Sequence, residues 1–346
     1  LLKKYLKRII KVKPDALNKG SSYLWARFAS NNFMKEEKKP EFLDWAVLIG
    51  LMLIWGSSFI LIKKGLQSFD NLQVGALRVS ISFLALLPFA LLRLKKIKRN
   101  NFHLFLIAGL MGNALPAFLF AKAQTGLDSL MAGVLNSLTP LFTLLIGIWF
   151  FSRRSHWLNV SGVLTGFLGA AGLLFVAGGG SFNLTILPAV YVIIATICYA
   201  VQMNFIKNYL TGYDPLTIAS LAFVFIGIPA LLFVFFLTDF PHRIINVPGS
   251  WQGLGYIAVL SLLGTALAII ANFWLIKRTS ALFASSVTYL MPVVSIGWGI
   301  VDGEPFLPVY VVWIMIILLG VYLANRPPER LKRFYLFVRN RVKSPD

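Results

Sequence analysis

Ten stretches of the chain, near 45–62, 72–92, 103–121, 128–151, 157–178, 185–206, 215–237, 252–274, 281–301 and 307–324, are almost unbroken runs of apolar residues. A helix rising about 1.5 Å per residue crosses roughly 30 Å of hydrocarbon in about 20 residues, so each run is close to one membrane span in length. Lipid offers the backbone no hydrogen bonds, which leaves helices and closed barrels as the only spanning structures. Barrel strands alternate apolar and polar residues with a period of two, and these runs do not. The pattern therefore predicts an all-α integral membrane fold of ten transmembrane helices. Composition agrees: 58% of the 346 residues are hydrophobic and only 13% charged, about half the charged share of a soluble domain.

Charge placement orients the ten spans. Of the 33 Lys and Arg residues, 28 fall before span 1, after the even-numbered spans or after span 10. Lys63, Lys64, Lys122 and Arg243 lie on the other side, and Arg78 lies within span 2. The positive-inside rule then puts both termini in the cytoplasm. The net charge of +20 is thereby a topology signal; it suits anionic lipid headgroups and requires no nucleic acid. Cys198 is the only cysteine, so neither an intrachain disulfide nor a cysteine metal cluster can form.

The tails are read as basic cytoplasmic segments, 1–43 and 326–346. "LLKKYLKRIIKV" has one apolar helical face, but "MKEEKKPEFLDW" at Met34 looks like a natural start, so 1–33 is read as a possible non-native extension. "ERLKRFYLFVRNRVK" near the C-terminus suits an interfacial helix.

The chain also resembles itself. A shift of 152 residues lays "GNALPAFLF" (112–120) over "GTALAIIAN" (264–272), and Pro140 and Gly147 over Pro292 and Gly299. A shift of 144 lays Trp55, Ser58 and Lys63 over Tyr199, Gln202 and Lys207. Each unit holds five spans, an odd number, so the second enters the membrane from the opposite side. The expected organisation is two inverted five-helix repeats, 44–178 and 185–325, joined by a linker at 179–184. Inverted repeats are a common transporter architecture, with the substrate site near the midplane between them.

"WGSSFILIKKG" (55–65), Arg78 and "AQTGLDSLMAGVLNSLTPLFTLLIG" (123–147) resemble the EamA-type members of the drug/metabolite transporter superfamily, and "TSALFASSVTYLMPVVSIGWGIVDGEP" (279–305) resembles their second unit. The resemblance covers about 44 to 325. It implies ten helices in a 5+5 inverted repeat around a central cavity, and a multi-pass protein of a bacterial cytoplasmic (inner) membrane. It implies small-metabolite transport, commonly export, of amino acids, nucleotide-type metabolites or toxic compounds. In one respect the chain departs from the family. The Gly-Glu that usually follows the fourth helix is present at Gly303-Glu304, whereas the first half reads "FFSRRSHW". If that acidic residue gates, one half alone supplies it.

Polar residues inside the spans are the candidate substrate-binding groups. Proline has no N–H, so Pro140 frees the carbonyl of Asn136, and Pro292 frees that of Thr288. Bent helices with freed carbonyls are tolerated at membrane depth where they line a cavity. Asn136 and Thr288 either contact substrate or satisfy those carbonyls and join helices. Trp55 and Ser58 share a face of span 1, and Tyr199 and Gln202 repeat the spacing in span 6. Asn113 in span 3 and Asn272 in span 8 complete the set. Pro140, Pro292 and Gly56 are the expected hinges. Arg78 is read as structural, tying span 2 to a neighbour. Gly162 and Gly166, four apart, are read as packing against another span rather than as a dimer face, with monomer and homodimer both open.

No Asp, Glu or His lies mid-span. Proton-driven carriers usually need a membrane-embedded titratable group, so facilitated diffusion or exchange is expected, or weak coupling through a carboxylate at a span end such as Asp128, Asp302 or Glu304. No nucleophile–base pair or metal constellation is visible either, so neither an enzyme nor a cofactor is expected. The reading is a transporter of a small neutral, zwitterionic or aromatic, amino-acid-like metabolite by alternating access; the alternative is a lipid or hydrophobic-drug translocase of the same fold.

Overall fold

The structure, a computed structural model, describes residues 41–96, 101–151, 157–180, 186–279 and 287–324. The N-terminal extension, the C-terminal interfacial segment and most of both "FFSRRSHW" and the 179–184 linker lie outside these. The described residues form helices and no strands.

We label the principal helices α1 (Phe42–Leu66), α2 (Asn71–Arg93), α3 (Phe102–Ala123), α4 (Ser129–Phe150), α5 (Trp157–Ala177), α6 (Ile186–Tyr209) and α7 (Pro215–Phe236). Then come α8 (Ser250–Ser261, continuing to Arg278), α9 (Val287–Val301) and α10 (Val309–Ala324). Among the described residues 8 helices, α1 to α8, are long and apolar enough to cross a membrane, while α9 and α10 are shorter apolar helices. The chain is a multi-pass membrane protein, as the apolar runs require.

Four of the long helices are irregular. α1 is interrupted at Ser57 and α4 at Ser137–Leu138. α3 and α8 each widen into a π-helical turn, at Leu110–Ala114 and Leu262–Leu267. The two turns start 152 residues apart, the same offset that aligns the sequence with itself. Helix starts follow ordinary capping chemistry. The Asp70 carboxylate accepts from the N–H groups of Leu72 and Gln73, both at 2.8 Å, and Asp214 accepts from Thr217 N–H at 3.0 Å.

Packing between helices relies on small residues, as expected where lipid and side chain are equally apolar. α5 lies against α10, α2 against α7, α4 against α9, and α6 against α3 and α4. A Cβ on Gly162 would lie 2.3 Å from Ala324 N, and one on Gly320 would lie 2.3 Å from Gly166 N. The Gly162/Gly166 face is therefore occupied within the chain by α10. Gly162→Leu should destabilise the fold by about 1–3 kcal/mol, because backbone on the facing helix cannot step aside. Gly255→Ala, where nothing lies within 4 Å, should be neutral or slightly stabilising. Thermal unfolding of the purified variants checks the contrast, and equal midpoints would refute it.

Charged groups pair at the two ends of the bundle. Arg278 Nε donates to Asp44 Oδ1 at 2.7 Å, and its terminal nitrogen meets Glu41. At the other end Lys63 and Lys64 meet Asp302 and Glu304. Each cluster joins groups that the charge pattern assigns to one side.

Candidate functional site

The two π turns organise the interior. A widened turn disturbs the regular ladder, and in both cases adjoining helices supply hydrogen-bond donors to carbonyls in or just before the turn. Gln202 of α6 donates Nε2 to Ala108 O at 3.0 Å. Trp55 of α1 donates its indole N–H to Gly264 O at 2.9 Å. Ser82 of α2 donates to Ser261 O at 3.2 Å. Each turn carries a glycine for a steric reason: a Cβ on Gly112 would lie 1.6 Å from Gln202 Nε2, and one on Gly264 would lie 3.0 Å from Ser58 Oγ.

Arg78 joins the groups around one turn. Its Nε donates to Thr265 Oγ1 at 3.3 Å, next to Gly264. Its guanidinium also lies close enough to the Tyr199 hydroxyl to interact with it directly. Tyr199 stacks on Phe120 with ring centroids 6.0 Å apart, and Phe59 meets Phe120 edge-on at 5.7 Å. Trp55, Ser58 and Tyr199 thus belong to one constellation with Arg78, Thr265 and Phe120. Gln202, three residues along α6 from Tyr199, faces the other π turn, of which Asn113 is a member.

The remaining sequence candidates sit elsewhere. Asn272 lies two turns beyond Thr265 along α8, about 11 Å by helical rise. Thr288 is in the first turn of α9. Asn136 is buried in α4, and its carbonyl accepts from Thr139 Oγ1 at 2.8 Å. The expectation that Pro140 frees that carbonyl is met, but the Thr139 hydroxyl fills the vacancy.

The hinges also divide. Pro140 is not a bend within a helix; it stands in the first turn of a new helical segment after the break at Ser137–Leu138. α9 continues as a helix through Pro292, whose own carbonyl accepts from Ser295 Oγ at 3.1 Å. Gly56 precedes the break in α1, and a Cβ there would lie 2.5 Å from Val294 Cβ of α9.

A second cluster, missed as a unit in the sequence, closes one end of the bundle. Glu304, its side chain 1% exposed, accepts from Lys63 Nζ at 2.7 Å. It also accepts from Ser129 N–H at 3.0 Å, Ser129 Oγ at 2.7 Å and Leu130 N–H at 2.9 Å. One carboxylate thereby caps the N-terminus of α4, where backbone N–H groups favour an anion, and holds α1 to the loop after α9. Burial pushes the Glu304 carboxyl up, but the bonds from Lys63, Leu130 and Ser129 outweigh it and hold it below its ordinary value. Asp302, bonded by Lys63 and Lys64, is also held low. Neighbouring Asp128 moves the other way, raised by burial and then by the Glu304 charge. Opposite charges at 63 and 304 on one predicted side were the available signal.

Among the described residues no group of three or more His, Cys, Asp or Glu side chains could hold a metal ion.

The comparisons with known proteins bear on this arrangement. The chain is 25% identical to an uncharacterized transporter of Archaeoglobus fulgidus over 82% of its own length and 98% of the relative's. It is 26% identical to the uncharacterized inner membrane transporter YedA of Escherichia coli K12, over 81% and 92%. It is 24% identical to a probable terminal-alkyne amino-acid exporter of Streptantibioticus cattleyicolor, over 82% and 93%. A solved crystal structure with 17% identity aligns with a TM-score of 0.57 over 84% of this chain and 99% of the other, a likeness of fold alone. The EamA-like transporter family profile matches residues 45–175 and again 186–326. Relatives named as transporters point to a transport role rather than an enzymatic one. On these matches, which span most of the chain, the protein belongs to the EamA-like transporter family.

Proposed function

We propose that the protein is a secondary transporter, operating by alternating access, of a small neutral, zwitterionic or aromatic metabolite of amino-acid type. The observation that carries the reading is the convergence of Trp55, Tyr199, Arg78 and Thr265, from four helices, beside a π turn inside the bundle. Aromatic walls with a few hydrogen-bonding groups suit an amphipathic small molecule. One relative is named a probable amino-acid exporter, which favours the same class.

The proposed architecture is ten spans in two inverted repeats, α1–α5 and α6–α10. Reciprocal packing supports it: α1 meets α8 and α9 as α6 meets α3 and α4, while α2–α7, α4–α9 and α5–α10 pair across the halves. We place both termini in the cytoplasm of a cell with the protein in its inner membrane, so that the Glu304 cluster closes the outer side.

The test is counterflow of radiolabelled amino acids into proteoliposomes. Tyr199→Ala should reduce uptake about tenfold or more, the loss expected when a well-packed aromatic contact is removed, while leaving the protein folded. Exchange should persist without an ion gradient, and an imposed pH gradient should not drive strong accumulation. Movement of fluorescent lipid across the bilayer with no solute exchange would refute the reading in favour of a lipid translocase.

A further inference from the structure

We infer that Arg78 is the anchor for a carboxylate on the transported molecule, which narrows the substrate to an organic monocarboxylate with an apolar or aromatic body. The inference rests on the transport reading above and adds the chemical group recognised.

Arg78 was expected to be a structural tie, and its bond to Thr265 does join α2 to α8, but that contact leaves most of the guanidinium's N–H donors unused. On α2 it is flanked by Leu77 and Val79, 4% and 2% exposed, yet it is itself only partly buried. Its contacts on the protein are neutral: the Thr265 hydroxyl and the Tyr199 hydroxyl. Among the described residues no carboxylate pairs with it. A guanidinium carries more N–H donors than two hydroxyls can accept.

A cation at membrane depth without a counter-ion is costly and is ordinarily retained for function. Its planar fork matches a carboxylate, which it can hold with two parallel hydrogen bonds. With one such cation in the constellation, a singly charged group is better balanced than a phosphate dianion. Trp55, Tyr199 and Phe120 stand close by to take the apolar part of the ligand.

The test uses the full chain purified in lipid nanodiscs and a ligand series that changes the charged group alone. Binding of phenylalanine, phenylpropionate, phenylalaninamide, phenethylamine and phenyl phosphate is measured by thermal stabilisation. Leucine and leucinamide are run alongside. Carboxylates should bind about tenfold to a hundredfold more tightly than the amide or amine of the same body, as for a charged hydrogen-bonded pair. Arg78→Gln should abolish that preference, and Arg78→Lys should retain part of it.

Equal binding of acid and amide by the parent protein would overturn the inference while leaving the transport cavity standing. Tighter binding of phenyl phosphate would overturn the carboxylate assignment. No stabilisation by any member of either set would overturn both this inference and the metabolite-transport reading. The comparison within the parent protein keeps the test decisive even where an Arg78 variant fails to fold.

Discussion

Glu304→Ala should open the end of the bundle that this carboxylate holds shut. The substitution removes the acceptor for Lys63 Nζ, for the Ser129 hydroxyl and for the N–H groups of Ser129 and Leu130. Lys63 is only partly buried and keeps Asp302 at 2.8 Å, so the cost is mainly that of the orphaned Ser129 and Leu130 donors, about 1–3 kcal/mol for each buried donor left unpaired. The cost falls on the closed arrangement alone, because an open end lets water reach the orphaned donors. About 1.4 kcal/mol shifts a two-state population tenfold, so the open state should gain at least that factor. Cys198 is the only native cysteine, so Leu130→Cys in a Cys198→Ser background reports on the opening. Leu130 is 1% exposed and should react slowly with a membrane-impermeant maleimide in the parent. It should react about tenfold faster once Glu304 is replaced. Unchanged labelling would show that the carboxylate is a static cap rather than a latch.

The same cluster sets a pH dependence whose sign follows from its direction. The Glu304 carboxyl is held below its ordinary value of 4.5 despite burial, which opposes ionisation. A depressed carboxylate contributes stability that is fully present above its ordinary value and lost as pH falls through the lowered one. Measured relative to an exposed reference thiol, whose own reaction slows about tenfold per pH unit as thiolate is lost, labelling at residue 130 should therefore be flat through neutral and mildly acidic pH and rise only in more acidic solution, below about 4.5. Glu304→Gln should remove the rise. An increase near pH 6 would assign the opening to a different group.

Much of this was legible before the structure, and the reason is physical. Membrane spans are long, apolar and subject to one solvent, so local sequence suffices to find them. Which charged groups share an end of the bundle was equally readable: Lys63 meets Glu304, and Arg278 meets Asp44. Trp55 and Tyr199, matched by the self-alignment, both enter the Arg78 constellation. Other features depend on partners far along the chain. Nothing in "LMGNA" or "LLGTAL" announces a π turn, because the donors that steady it come from α6, α1 and α2. Arg78 could not be read either, since whether a span arginine meets lipid, a carbonyl or a cavity is decided by neighbouring helices. Pro140 and Pro292 occupy equivalent places, yet one follows a break and the other sits within a continuous helix. Local chemistry distinguishes them: Thr139 takes the Asn136 carbonyl, and Ser295 takes the carbonyl of Pro292 itself.

Gly112→Ala should drive the Gln202 amide out of its place beside the π turn. The added Cβ would lie 1.6 Å from Gln202 Nε2, 1.8 Å from its Cδ and 2.3 Å from its Oε1. No adjustment of a few tenths of an ångström relieves three contacts with one amide, so Gln202 must leave. Its departure also strips the Ala108 carbonyl of a donor now at 3.0 Å. Any residual overpacking adds to an abandoned buried acceptor, which costs about 1–3 kcal/mol. The expected loss is thus about 1–3 kcal/mol, with transport falling in parallel because Gln202 braces the π turn that contains Asn113. A double-mutant cycle separates the two terms. Gln202→Ala alone should cost only the lost hydrogen bond, and Gly112→Ala added to it should cost little more, because the space has been vacated. The coupling should exceed about 1 kcal/mol, as for residues in direct contact. Additive losses in the cycle would mean that Gln202 already has another position to occupy, and that the amide does not brace this turn.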